Sequence, residues 1–302
     1  MDKRKRGIAL FITLMVIASI MSIIAVSFSY LEKVQNDTGE TSAIIQGDLL
    51  YKNTVEVLKR FFPKGSKNQD KLELLYSTPL PLSEPKNGFY LTISCQPLMK
   101  GVPISWLDES STQQVPEKTS LAKRVLQNVM EQYEVEEPSQ LEELILKAVS
   151  SKSLENMDYR PRVKTKKGIV SREQFNRIIT DYLFVSDDTK VLTIPWENYF
   201  TFTTISKQTK IDGVYLSAEF ISVAFDIPIE IVQESWNPQE ITLVEFLQQN
   251  GVLDPLNKNI YSKEALNAMH CETIYAYKKN QYGFNFNYID GRSQNFEFNG
   301  QQ

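Results

Sequence analysis

The sequence is poor in the residues that most catalytic and metal centres need. It has one histidine, His270, and two cysteines, Cys95 and Cys271, among 302 residues. The cysteines are far apart and match no metal-ligand or redox spacing. His270 is the only residue that could activate a serine or cysteine, and its neighbour Cys271 points the other way in a strand. There is no glycine-rich phosphate loop, HExxH, G-x-S-x-G or kinase motif set. Basic charge is not in excess either. The formal net charge is -4, so no lysine and arginine surplus points to nucleic acid. An enzyme and a nucleic-acid binder are therefore both disfavoured.

What the chain has is a strongly asymmetric start. Lys3, Arg4, Lys5 and Arg6 form a basic run, Gly7 follows, and Ile8 to Tyr30 are 23 residues without a charge. As a helix this stretch is roughly 35 Å long, enough for a hydrocarbon core of about 30 Å. The cations ahead of it put the N-terminus in the cytoplasm and the rest of the chain on the far side. Three readings fit such a start. A secretory signal has an apolar region of about 7–15 residues and a small-residue cleavage site. This run is longer, and Ala18, Ala25 and Ser27 make no convincing site. The other two are a plain signal anchor and a leader cut on the cytoplasmic side of the apolar segment.

The junction KRKRG–IALFITLMVIASI carries the third reading. A short basic leader ending in one glycine, with the apolar helix starting at the next residue, resembles the leaders of type IV pilins and type II secretion pseudopilins. By that resemblance cleavage follows Gly7, and Ile8 becomes the N-methylated first residue. Most members have glutamate at the fifth mature position, where this chain has Ile12. The class that usually lacks it is the larger K-type minor pseudopilin, the general secretion pathway protein K family. A lone carboxylate in the bilayer is costly unless paired, so a subunit with none ahead of it should lack one. Loss of residues 1–7 removes four cations and Asp2, and the net charge goes from -4 to about -7.

The resemblance implies an α+β fold: a long N-terminal transmembrane helix, a pseudopilin-type antiparallel sheet, and an inserted all-α, SAM-like domain. The expected division is a leader at 1–7, a transmembrane helix at 8–30, an α+β core at 31–115 and 265–302, and a mainly helical insertion at 116–264. Apolar spacing predicts a helix over Ser42–Phe62, with Ile45, Leu49, Leu50, Val57, Leu58 and Phe61 on one face. Residues 63–88, with Pro79, Pro81 and Pro85, read as loop, and Gly88–Pro97 as a strand. Pro103–Leu107 reads as a short extended segment. Helices are expected over Thr119–Tyr133 (N-cap Thr119 or Ser120), Pro138–Val149 (capping box Ser139/Glu142), Ser171–Phe184, Val214–Phe225, Pro228–Trp236 and Thr242–Gln249. Tyr199–Ile205 is β-prone. Thr209–Gln233 loosely resembles the family's repeat, in which a short strand leads to two short helices. Thr273–Lys278, Gly283–Ile289 and Gln294–Asn299 read as strands, the last two joined at Asp290-Gly291, with Phe284, Phe286 and Tyr288 facing a core opposite Phe296 and Phe298.

Cys95 and Cys271 both flank strands of one expected sheet. In an oxidising compartment they could form a disulfide, provided their Cα atoms lie about 4.4–6.8 Å apart; otherwise they are two separate thiols. Asp181, Asp187 and Asp188, or Glu155 and Asp158, could hold calcium, or could be solvated loop acids. Family members often carry a calcium loop rich in acids after a tryptophan, but Lys147–Tyr159 lacks the tryptophan and most of the acids. No other cofactor is expected.

The function implied is a non-catalytic tip or initiation subunit of a periplasmic pseudopilus. It would be a single-pass inner-membrane protein working with the I- and J-type minor pseudopilins, the major pseudopilin, the prepilin peptidase and the inner-membrane secretion platform. A minor pilin of a type IV pilus or competence system shares the leader chemistry. A signal-anchored periplasmic scaffold needs no processing at all.

Overall fold

A computed structural model of the chain describes residues 21, 41–65, 69–84, 89–109, 115–150, 168–203, 208–253, 256–277 and 280–301. The leader residues Gly7 and Ile8, the fifth mature position Ile12 and all of the 8–30 segment except Met21 lie outside them. Among the described residues no helix is long and apolar enough to cross a membrane.

Helix α1 (41–61) buries a stripe at Ala43, Gly47, Leu50, Thr54, Leu58 and, just past its end, Phe62. These positions recur every three or four residues, so they share one side of the helix. The expected single apolar face is therefore corrected. Ile45 and Leu49 point away from this stripe and are 60% and 51% exposed. Gly47 permits the close approach: a Cβ there would meet the Tyr275 hydroxyl at 2.8 Å and Phe298 at 3.2 Å. The Tyr275 hydroxyl in turn donates to the carbonyl of Ala43, and that of Tyr288 to Phe62 O at 3.0 Å.

The expected loop at 63–88 is also corrected. It holds helix α2 (Gln69–Ser77), which buries Leu72 and Leu75, and strand β1 (Leu80–Glu84). Pro79 lies just past the helix, and Pro81 is in an edge strand that pairs on one side only, where a missing N–H is tolerated.

Five strands form an antiparallel sheet in the order β1-β2-β5-β6-β7, with β2 at Phe89–Pro97, β5 at Ala268–Tyr277, β6 at Asn280–Ile289 and β7 at Arg292–Gln301. Asp290 and Gly291, at φ 45° and 86°, make the β6–β7 turn, as the Asp-Gly pair predicts. Tyr282, Phe284, Phe286 and Tyr288 alternate onto the α1 side and are buried. A register shift between Asn285 and Asn287 keeps β7 from alternating in step. Phe284 pairs with Phe298, while Phe296 lies against Tyr51 of α1 at 4.4 Å between ring centroids.

Everything between β2 and β5 is inserted between neighbouring strands. Strand β3 (Val102–Pro103) pairs in parallel with β4 (Phe200–Thr201), and a 3-10 turn covers Ile104–Leu107. The helices are α3 (Pro116–Gln132), α4 (Pro138–Val149), α5 (Arg172–Ser186), α6 (Trp196–Tyr199), α7 (Ala218–Phe225), α8 (Ile229–Ser235) and α9 (Leu243–Gln249). They enclose a second core running from Val102 to Tyr261.

Helix α3 begins at Pro116 after Val115, ahead of the expected Thr119, whereas α4 covers the expected Pro138–Val149; neither start has a side-chain cap. Proline at the first helical position presets φ and sacrifices only an N–H that would be unpaired anyway. Ser139 is therefore inside α4 and forms no capping box. The true box is Thr242 with Glu245 at the start of α9. The segment Val214–Ser217 is not helical, because Ser217 caps α7 by accepting from Phe220 N.

Candidate functional site

Cys95 of β2 and Cys271 of β5 are directly opposed in register. They lie within the strands rather than beside them, with Cα atoms 4.1 Å apart, a little under the expected 4.4–6.8 Å because directly opposed residues of an antiparallel pair come this close. Their sulfurs are joined in a disulfide, and both residues are buried in the sheet core. His270 faces the opposite side, where its Nδ1 pairs with Asn287 Oδ1 at 2.8 Å. The two groups that could have made a thiol–imidazole pair are thus committed elsewhere.

The acidic residues do not converge. Asp188 is buried, and its carboxylate accepts from Glu136 N (2.9 Å), Lys190 N (3.0 Å) and the Tyr182 hydroxyl (3.2 Å). It ties the α3–α4 turn to the end of α5. Asp187 is the left-handed C-cap of α5, at φ 57°, and Asp181 is exposed on that helix. Among the described residues no group of three or more histidine, cysteine, aspartate or glutamate side chains could hold a metal. Glu155 and Asp158 lie outside the described residues.

Two features set the insertion against the sheet. The first is Asp212, buried where the chain leaves and re-enters the sheet. Its Oδ1 accepts from Val214 N (2.8 Å) and Tyr215 N (3.2 Å), its Oδ2 from Leu266 N (2.8 Å), and its own N–H donates to Met99 O (3.3 Å). Burial outweighs these three donors and raises its carboxyl to about 6. Tyr76 of α2 stacks edge-on against Tyr215 at 5.1 Å beside it. The second is the outer face of the β6–β7 hairpin. There Thr203, just after β4, accepts from Asn287 Nδ2 (3.3 Å) and Gln294 Nε2 (3.2 Å), and Asn295 Nδ2 donates to Val170 O (2.7 Å). The side-chain bonds that cross the seam join residues about 50 or more positions apart, so no local pattern signals them.

An exposed apolar face lies on α1. Ile44, Ile45 and Leu49 cover the side of its first turns away from the sheet, and Phe61 is exposed at its far end. A helix with one apolar side on its own sheet and a second apolar side exposed suits packing against another surface.

This architecture matches a solved structure. A chain in the crystal structure of the GspK–GspI–GspJ complex from the enterotoxigenic Escherichia coli Type 2 Secretion System aligns over 97% of its own length and 87% of this one. The TM-score is 0.50 and the identity 15%. The fold is GspK-like. At that identity the likeness speaks for the fold, a mixed helical and antiparallel-sheet arrangement. No family model and no curated protein matches the sequence.

Proposed function

We infer that the chain is a non-catalytic minor pseudopilin of the K type, working at the tip of a type II secretion pseudopilus. The observation that carries this reading is the GspK-like fold, with a large helical insertion between two neighbouring strands of the sheet. The sequence supports it independently through the Gly7–Ile8 junction, the 23-residue apolar segment and the isoleucine at position 12. The sheet with α1 and α2 serves as the pseudopilin core, and the segment between β2 and β5 as its SAM-like insertion, which starts earlier than the expected residue 116 because Val102–Leu107 pack into the helical core. The protein is held in the inner membrane by residues 8–30, with its N-terminus cytoplasmic and its body in the periplasm. The buried Cys95–Cys271 disulfide supports an oxidising compartment.

In this role the apolar helix stores the subunit in the bilayer until it is drawn out. The exposed Ile44, Ile45 and Leu49 side of α1 then meets the helices of I- and J-type partners, and the broad insertion caps the fibre. The decisive experiment is the intact mass and N-terminal residue of the protein from its native membrane. Loss of residues 1–7 with N-methylated Ile8 is the expected result, with processing abolished in Gly7→Val. An uncleaved Met1 start in cells with active prepilin peptidase overturns the reading and leaves an anchored scaffold.

A further inference from the structure

The last turn of α5 and the 3-10 turn after it, Thr189–Thr193, turn apolar side chains into solvent. Phe184 is 93% exposed, Val185 67% and Leu192 63%. A single exposed apolar residue is ordinary. Three of them at one helix end make a patch of the kind that marks an interaction surface.

The patch sits on a fixed frame. Besides the three bonds to buried Asp188, the Tyr182 hydroxyl accepts from Glu137 N at 3.2 Å, and Lys190 Nζ donates to Glu134 O at 3.1 Å. The α3–α4 turn, the end of α5 and the 3-10 turn are thereby tied into one unit. Side chains held on such a frame spare a partner the cost of ordering a loose loop.

The frame is acidic. Asp181 is three residues before Phe184 and four before Val185, so it shares their side of α5. Asp187 caps the helix, and Glu134, Glu136 and Glu137 are exposed on the turn tied to it. Lys190 is the only cation within 131–137 and 181–192, and it lies 3.8 Å from Glu136. This charge selects the occupant. An anionic lipid surface or a nucleic acid is repelled, and a second copy of the chain would set the same acids against one another. A polypeptide that carries lysine or arginine beside an apolar stripe complements both the charge and the exposed side chains.

We propose that Phe184, Val185 and Leu192 form a docking surface for a basic amphipathic segment of a partner polypeptide, whose apolar stripe covers these three side chains and whose cations meet Asp181, Asp187 and the acidic turn beside them. The inference goes beyond the pseudopilin reading and does not rest on it, because the surface lies wholly on the helical insertion.

The test uses the full chain in phosphatidylcholine nanodiscs and the fluorescence anisotropy of a labelled leucine–lysine peptide, about 18 residues long so that it can form a helix. A leucine–glutamate peptide is its counterpart. The lysine peptide should bind at micromolar concentration and the glutamate peptide should not. Phe184→Ser with Leu192→Ser alters side chains already in solvent, so it should leave the melting temperature unchanged and weaken binding at least about tenfold. Asp181→Asn with Asp187→Asn should weaken it about fivefold at low salt and remove much of its salt dependence. Asparagine tolerates the left-handed cap at 187, so this variant keeps the frame. Equal binding of the two peptides, or a serine double variant that binds as tightly as the unaltered chain, would overturn the proposal. So would binding to phosphatidylglycerol vesicles, or self-association, that the serine double variant abolishes, because the surface would then belong to a membrane or to a second copy.

Discussion

The sheet core is assembled from separated stretches, α1 and residues 69–97 on one side of the insertion and residues 268–301 on the other. The helical core is filled from one continuous run, Val102 to Tyr261. The first depends on long-range pairing and carries a covalent bond across its two central segments, with a sequence separation of 176. The second relies on short helices whose contacts are mostly closer in sequence. Closing a long loop costs chain entropy before any contact is gained, and that cost falls on the sheet core. A disulfide between the segments that must meet removes much of it from the unfolded state. The seam at Asp212 and at the Thr203–Asn287–Gln294 cluster then determines how far the two cores stand or fall together.

The largest expected effects come from emptying either core. Phe284→Ala in the sheet and Phe220→Ala in α7 each remove a fully buried ring and should cost about 3–5 kcal/mol. Native-state hydrogen exchange should show the Phe220 variant loosening amides of 116–249 while β5 and β6 keep their protection. Uniform loosening would mean that the two cores are one cooperative unit.

Removing the covalent tie is next. Cys95→Ser with Cys271→Ser should cost about 2–5 kcal/mol, read as a fall in denaturant midpoint. The loss should fall on the sheet core, and intrinsic fluorescence from the tryptophans, Trp106, Trp196 and Trp236, all in or packed on the helical core, should lag behind backbone signals from the strands.

Asp212 should make the seam sensitive to pH. Its carboxyl is about 6 in the folded protein and near 3.8 when exposed, so the folded state binds the proton more tightly. Stability from this group is therefore greatest below about pH 4, declines as pH rises through 6, and is level above. The whole change is about 3 kcal/mol. Asp212→Asn should flatten that window in urea titrations run across pH 4–7, while losing the acceptor for Leu266 N. The smallest effect belongs to Thr242→Ala, which removes the only capping box seen among the described helices and should cost about 1 kcal/mol, seen as a small drop in melting temperature.

Local signals were legible where the residue pattern alone sets the conformation. The Asp290-Gly291 hairpin, the alternation of Phe284, Phe286 and Tyr288, and the helices 138–149, 229–235 and 243–249 all lie where spacing puts them, to within a residue or two. The misses have physical causes. Pro79, Pro81 and Pro85 made 63–88 look like loop, although a helix ends before Pro79 and an edge strand takes in Pro81. Proline as first helical residue moved the start of α3 ahead of Thr119 and left Ser139 inside α4 rather than capping it. Helix α1 was read with one apolar face because spacing cannot tell which of two stripes meets the sheet.

The amino-acid order by itself determined the apolar N-terminal segment with its basic flank, the helical and strand periodicities, and the turn chemistry, because each depends on residues within a few positions of one another. Tertiary structure alone decided that Cys95 meets Cys271, that Asp212 is buried among three backbone donors, that Asp188 is consumed by structure, and that Ile45 and Leu49 face outward. Those outcomes depend on which distant segments come together, and only the packing of the whole chain, weighing burial against loop entropy, selects them.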